Sequence, residues 1–414
     1  MTVLKSQTAV LHLLQKSNGV LKLITPATSP ATYHNAKCNY SSDVPVKILK
    51  NPTTASLKRG TGGRSSFNGI VCTIFGNTGF IGGYVCNRLG KIGTQLILPY
   101  RGDIYDSMRL KLMGDLGQIL FHPFHLCDED SIRKCIKYSN VVINLIGRDW
   151  ETKNFSFNDV HVEGARRLAR LCREANVERF IHVSHLNASP DPEPIFFENG
   201  SELMKAKWMG EQAVREEFPD ATIIRPSYVY GQEDKYLWCL TSSFRKHLIG
   251  GIPMWEKGEK TIKAPLWVGD VASGIREIVL DPSTAGKTYQ FLGPKRYYLG
   301  DLAMWVHLHL RHEPMEYGYR KLDIKYYPLF KLKVSICESM SVNSPLGYLH
   351  WEGLEKEHLS DNPIPGIPGL EDLGVKRALL EDRINWELGP FKLEEYYTEE
   401  IGEHEKPTPP NPVP

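Results

Sequence analysis

The stretch GNTGFIG, residues 76–82, has the glycine spacing of an anion-binding turn. Gly76 permits a tight turn out of a strand, Gly79 lets a diphosphate approach the backbone, and Gly82 lets the next helix pack closely. Unpaired amides at the start of that helix then face the anion. Such a triplet is a weak signal alone and a strong one between an apolar strand and a helix. The next apolar run ends in LILPYRGD, with Arg101 where an adenosine ribose contact falls. An acid there selects NAD, and an arginine selects the extra phosphate of NADP. Arg101 thus points to NADP(H), with Asp103 as the rival contact and a solvated turn arginine as the bland alternative. No His, Cys or carboxylate cluster has metal-ligand spacing.

These residues need elements to hold them. NGIVCTIFG, residues 68–76, reads as a buried parallel strand, and FIGGYVCNRLGKIG as a helix with Ile81, Val85 and Leu89 on one face. TQLILPY (94–100), part of DLGQILFHPFHL, NVVINLIG (140–147), ERFIHVSHL and ATIIRPSYVYG supply five more strands. Helical patterns separate them: DEDSIRKCIKYS, with acids at its N-terminus as the macrodipole favours, FNDVHVEGARRLARLCREANV, and SELMKAKWMGEQAVREEF. Such alternation predicts an α/β fold, a Rossmann-type doubly wound parallel sheet. Beyond Gly231 the pattern loosens toward a smaller, irregular C-terminal domain, and APLWVGDVASGIREIV (264–279) reads as strand, turn and helix rejoining the sheet. The expected organisation is a targeting segment and linker over 1–45 and a nucleotide-binding domain over 58–231, rejoined by about 262–280. An interaction domain with a Pro-rich tail follows over 232–414.

The chain has 414 residues, 41% hydrophobic and 24% charged, a globular composition with a net charge of only +2. No apolar run is long enough to cross a membrane, and the scattered cysteines contain no C-x-x-C pair. Charge is uneven, because Asp43 is the one acid before Asp103. The basic, Ser/Thr-rich, amphipathic start reads as a mitochondrial transit peptide.

The segments GNTGFIG, VVINLIGRDWETKNF, VERFIHVSHLNAS, KWMGEQAVREEFPDATIIRPSYVYGQED and VGDVA together carry a family resemblance. The chain resembles the extended and atypical short-chain dehydrogenase/reductase superfamily. More narrowly, it is similar to the nucleotide-binding accessory subunits of mitochondrial respiratory complex I, over roughly residues 58–410. That resemblance implies a reductase-like fold, tightly held NADPH and no turnover. It also implies a place on the matrix side of the inner membrane, among other complex I subunits, with contact to the membrane surface, no membrane span and no nucleic acid. It assigns Gly76, Asn77, Thr78, Gly79, Phe80, Ile81 and Gly82 to the diphosphate loop and Arg101 to the adenosine phosphate. Leu126 belongs to the adenine side, beside His125, which stands where relatives carry an acid. Leu145, Ile146 and Gly147 flank the adenine-side ribose and diphosphate. Ser184 faces the nicotinamide, Lys207 its ribose, and Pro226 and Ser227 its amide.

Active members of the superfamily carry a tyrosine four residues before the lysine; this chain has Leu203. The tyrosine moves a proton as hydride moves, help worth about 10²–10⁴ in rate. Leucine has no proton to give, so no catalytic residue is expected. Ser201, four before Lys205, is a poor acid, Tyr228 and Tyr230 read as packing residues, and Lys205 as a surface lysine. Strand alternation puts His182 and Ser184 on one face and His185 on the other. Two rival readings stand beside the non-catalytic subunit: a working NADP-dependent reductase or epimerase with another proton donor, and a nucleotide-sensing or RNA-binding scaffold. In the second half, Trp238, Trp255, Trp267, Trp305, Tyr297 and Tyr298 divide between core and partner surface. Lys321, Lys325, Lys331 and Lys333 interleave with Tyr326, Tyr327, Phe330 and Leu332, a mix suited to anionic headgroups or an acidic neighbour. A solvated basic face over an aromatic core is the bland alternative.

Overall fold

Short runs of β-branched and apolar residues become buried strands, and the amphipathic segments between them become helices on both faces. In the computed structural model, β1 (Val71–Phe75) leads into α1 (Phe80–Lys91), β2 (Gln95–Tyr100) and β3 (Ile119–Pro123). Then come α2 (Glu129–Ile136), β4 (Val141–Asn144), α3 (Gly164–Glu174), β5 (Arg179–Val183), α4 (Glu202–Glu217) and β6 (Thr222–Pro226). The structure describes residues 58–242, 245, 251–310, 320–340, 344–392 and 407–413, all within one compact unit, Leu49–Pro414. The expected targeting segment and the Trp238 side chain lie outside the described residues.

The sheet has seven strands, but the run expected to rejoin it at the start of 264–279 is not among them: Leu266–Trp267 pairs instead with Val229–Tyr230 in a separate two-stranded ladder. The seventh follows α5 (Val268–Leu280) as β7 (Thr288–Phe291) and pairs with β6. The spatial order is β7-β6-β5-β4-β1-β2-β3, every pair parallel. Strand order reverses between β1 and β4, where a crevice opens above the carboxyl ends of the strands. Two apolar layers follow from strand alternation. Cys72, Ile74, Val141 and Ile143 face one layer with Val85 and Leu89 of α1 and Val271, Ile275 and Ile278 of α5. Phe75 and Val142 face the other with Ile132 of α2, Leu168 and Cys172 of α3 and Val214 of α4.

The remaining elements pack as smaller clusters. α6 (Leu299–His309) contributes Leu302, Trp305 and Val306 to a core with Tyr230, Met254, Tyr297 and Ile384, the last from α9 (Leu380–Glu387). α7 (Pro328–Ser339) buries Phe330, Val334 and Cys337 beside Leu354 of α8 (Trp351–His358). Trp305 and Tyr297 are therefore core residues, whereas Tyr298 reaches the surface.

Candidate functional site

The crevice at the strand-order reversal has an outer cavity of about 340 Å³ and an inner one of about 300 Å³, sharing Gly76, Gly79, Leu145, Ile146 and Gly147. Gly76 has φ +82°, and a Cβ there would lie 2.8 Å from the Leu145 carbonyl carbon. A Cβ on Gly82 would lie 2.5 Å from the Gly76 oxygen, so α1 starts directly on the loop. Gly79 is the N-cap of α1, and no side chain caps it. The first amides of α1 are thus left for an anion. Strand β4 stops at Asn144, whose Oδ1 accepts the Ile146 amide at 3.1 Å. That local turn ends the expected 140–147 strand early and swings residues 145–147 across the crevice.

The outer end is aromatic and cationic. Phe124, Leu126, Trp150 and Phe155 line it with Arg101 and Arg148. Arg101 sits over Phe155 at 5.8 Å and Arg148 over Trp150 at 5.3 Å. Asp103, the rival to Arg101, instead accepts the Tyr105 amide at 3.0 Å and starts a short helical turn. His125 is exposed beside Phe155, and its Nδ1 accepts the Cys127 amide.

The inner end gathers Phe80, Ile81, Gly82, Ser184, His185, Lys207, Pro226 and Ser227 with Asp149, His161 and Lys356. Asp149 accepts a hydrogen bond from Lys356 Nζ at 2.9 Å. Burial disfavours its charge, yet Lys356, Lys207 and His350 hold the carboxyl well below the usual range. Burial lowers the Lys207 pKa to about 8; Lys356 adds to that shift, while Asp149 and Glu211 oppose it. Burial also keeps His161 and His185 neutral, lowering the first to about 4 and the second well below the ordinary imidazole value. Ser184 is buried at the strand end, and its Oγ has no hydrogen-bond partner among the described residues. The Ser227 hydroxyl donates to the Ala264 carbonyl at 2.6 Å, which fixes the β6 end. The donor set is one a dinucleotide would use: glycine-loop amides for the diphosphate, an unpartnered hydroxyl and an ammonium group for polar groups at the far end.

Some expected residues stand elsewhere. Asn77 is buried and donates to the Ile74 and Pro99 carbonyls, so its side chain braces the loop below the crevice. His185, expected opposite Ser184, lines the crevice with it, while His182 turns away and meets Asn144 at 3.1 Å. The two-residue period fails because β5 ends at Val183. Leu203 is fully buried among Phe157, Val162, Met204 and Leu359 and does not reach the crevice. Ser201 caps α4, accepting the Met204 amide and donating to Glu352. Glu211 makes a buried ion pair with Arg225, with contacts of 2.6 to 3.2 Å that tie α4 to β6.

Sequence reasoning missed Arg148, Asp149, His161 and Lys356. Arg148 and Asp149 follow directly on NLIG, which was the available signal; Lys356 gives none, because only tertiary packing brings α8 here. Glu352 of α8 accepts the Glu202 amide and the Ser201 hydroxyl, and Glu355 accepts the Ile195 and Phe196 amides. His350, just before α8, lies 2.9 Å from the Asp149 carbonyl through Nε2. Of this short helix, Lys356 reaches the inner end of the crevice.

Comparison with known proteins agrees with this architecture. Residues 72–291 match the NAD dependent epimerase/dehydratase family. The chain is 44% identical over 330 residues to NADH dehydrogenase (ubiquinone) 1 alpha subcomplex subunit 9, mitochondrial, of Rattus norvegicus, covering 79% of this chain and 82% of that protein. It is 42% identical to the NADH-ubiquinone oxidoreductase 40 kDa subunit, mitochondrial, of Neurospora crassa, covering 64% of this chain and 66% of that one. Among solved structures, a Citrobacter triphenylmethane reductase superposes with a TM-score of 0.56 at 14% identity, covering 77% of this chain and 99% of that one. That likeness is one of fold alone.

Proposed function

This chain belongs to the NAD dependent epimerase/dehydratase family and, within it, to the family of mitochondrial NADH dehydrogenase alpha subcomplex subunit 9 proteins, and we propose that it is a non-catalytic accessory subunit of mitochondrial complex I holding NADPH as a structural cofactor. One observation carries the reading. The diphosphate loop, the β4 loop and Lys207 line one continuous crevice, while residue 203, where a reductase places its tyrosine, is turned into the core.

When bound, the nucleotide would supply charge and apolar surface to a site already shaped for it. The chain's own residues do the rest. The glycine loop and the α1 amides hold the diphosphate, and Arg101 meets the adenosine phosphate. Lys207 and Ser184 hold the nicotinamide end. Assembly would set the protein on the matrix side of the inner membrane, among other complex I subunits. Support for a nearby lipid surface comes from α7, where Leu329, Leu332, Ile336 and Met340 are exposed beside Lys331.

Thermal unfolding of the full chain tests the cofactor role. At NADPH a hundredfold above its Kd, mass action adds about 2.7 kcal/mol, enough to raise Tm by several degrees. Nucleotide extracted from the native complex should include NADPH. An unchanged Tm together with a nucleotide-free complex refutes the reading. A working reductase is the second reading, favoured by Lys207, whose lowered pKa leaves it able to exchange a proton near neutral pH. Sustained NADPH consumption by the isolated chain with a carbonyl substrate would establish it.

A further inference from the structure

The outer cavity contains two guanidinium groups, and only Arg101 answers to a recognised position. Arg148 lines the same cavity from one residue beyond the Leu145–Gly147 loop and is half-buried. Neither arginine has a carboxylate partner among the described residues. Each is instead held against a ring, Arg101 over Phe155 and Arg148 over Trp150. The Arg148 backbone is anchored as well, its carbonyl lying 2.9 Å from His161 Nε2. The two cations also feel each other: burial lowers the Arg148 pKa, and the Arg101 charge lowers it further.

Two like charges lining one cavity, Arg148 half-buried and Arg101 exposed, repel each other, and an anion between them turns that repulsion into attraction. The diphosphate of a dinucleotide already has the glycine loop and the α1 amides. A second anionic group is needed at the outer end, carrying enough charge to satisfy two forks. A phosphomonoester does so: its three terminal oxygens accept charge-assisted bonds from more than one guanidinium, and its charge approaches two above pH 6. We propose that Arg148 is a specificity-determining residue that grips, jointly with Arg101, the phosphomonoester of a dinucleotide carrying a third phosphate. The inference rests on the crevice being a dinucleotide site. It goes further in making the choice of NADPH over NADH a property of two residues from different strand ends.

The experiment is calorimetric titration of the full chain and its Arg148→Gln, Arg148→Lys and Arg101→Gln variants with NADPH and NADH. Arg148→Gln should weaken NADPH binding roughly tenfold to a hundredfold, the loss of one or two charged hydrogen bonds, and change NADH binding less than about twofold. Arg148→Lys, which keeps the charge and loses the fork, should fall between. Adenosine 2′-monophosphate should compete on the wild type and compete poorly on Arg148→Gln. The preference for NADPH should shrink as pH falls through about 6, where the phosphomonoester gains a proton. Without ligand, Arg148→Gln should melt no lower than wild type, because it relieves a repulsion. Equal weakening of both dinucleotides would overturn the proposal and assign Arg148 to the shared diphosphate. Unchanged binding of both would overturn it too. Wild-type chain that binds neither dinucleotide has a different signature, and removes the crevice reading along with this one.

Discussion

At the scale of single residues, position 203 decides more than the sequence suggests. Leucine there reads as the loss of a proton donor. The structure adds that the side chain is fully buried, packed against Phe157, Val162, Met204 and Leu359. Restoring tyrosine would force a larger side chain and a hydroxyl into a filled space. Overpacking costs about 1–3 kcal/mol, and a buried hydroxyl without a partner adds a similar amount. Leu203→Tyr should therefore lower stability by about 2–6 kcal/mol in urea unfolding and leave NADPH oxidation undetectable. A stable, active variant would show that the site was only one side chain from catalysis. The residues that the sequence revealed are those whose role is local. Gly76 and Gly82 announce themselves by backbone demands, and Lys207 by its place in a helix. Asn77 misleads because the sequence cannot say whether a side chain in the loop points toward the crevice or under it.

At the scale of elements, β1 to β6 and their helices were legible because each buries a continuous apolar run or one face of a helix. β7 was not, since TYQF is short and carries a polar glutamine that binds the Ile364 and Ile367 carbonyls. Helix α8 was hidden more deeply. WEGLEKEH looks like a solvated, charged turn, yet Glu352, Glu355, Glu357 and His358 are all buried. Their partners lie far away in sequence: Glu357 pairs with Arg245, and His358 Nε2 accepts the Trp255 amide at 3.0 Å. Glu355 is the sharpest case, with one carboxylate satisfying the amides of Ile195 at 2.9 Å and Phe196 at 2.7 Å. Alanine would orphan both donors, each at about 1–3 kcal/mol before water enters the space. Glu355→Ala should thus cost about 2–4 kcal/mol, with Glu355→Gln costing clearly less because one acceptor remains. If α8 also closes the crevice, Glu355→Ala should weaken NADPH binding more than an equally destabilising substitution at Leu168. An alanine variant within 0.5 kcal/mol of wild type would mean that the helix is not the clamp its hydrogen bonds describe.

The whole molecule faces two directions. The crevice opens on one set of loops, and the C-terminal elements offer a surface left exposed among the described residues. Among the described residues no helix is long and apolar enough to cross a membrane. Helix α7 instead has two apolar sides. Phe330, Val334 and Cys337 are buried, while Leu329 at 60%, Leu332 at 58%, Ile336 at 47% and Met340 at 69% exposure form a second row at three- and four-residue spacing. Tyr326, at 74%, precedes the helix, and Lys325 and Lys331 are exposed beside it. A solvated basic face would not need this row. An interfacial helix would, because buried apolar area and attraction to anionic headgroups together set its affinity. Each leucine that gains even half its full burial contributes about 1 kcal/mol. Replacing Leu329 and Leu332 with aspartate removes that gain and adds two repulsive charges. Binding of the full chain to vesicles containing anionic phospholipid should then fall at least about tenfold. Its urea unfolding should change little, since exposed substitutions stay within about 0.5 kcal/mol each. Wild-type binding should weaken as salt rises through the range where the Debye length drops below about 10 Å. If the aspartate variant floats with the vesicles as wild type does, the exposed row belongs to a protein neighbour, and its assembly into the complex becomes the measurement that must change.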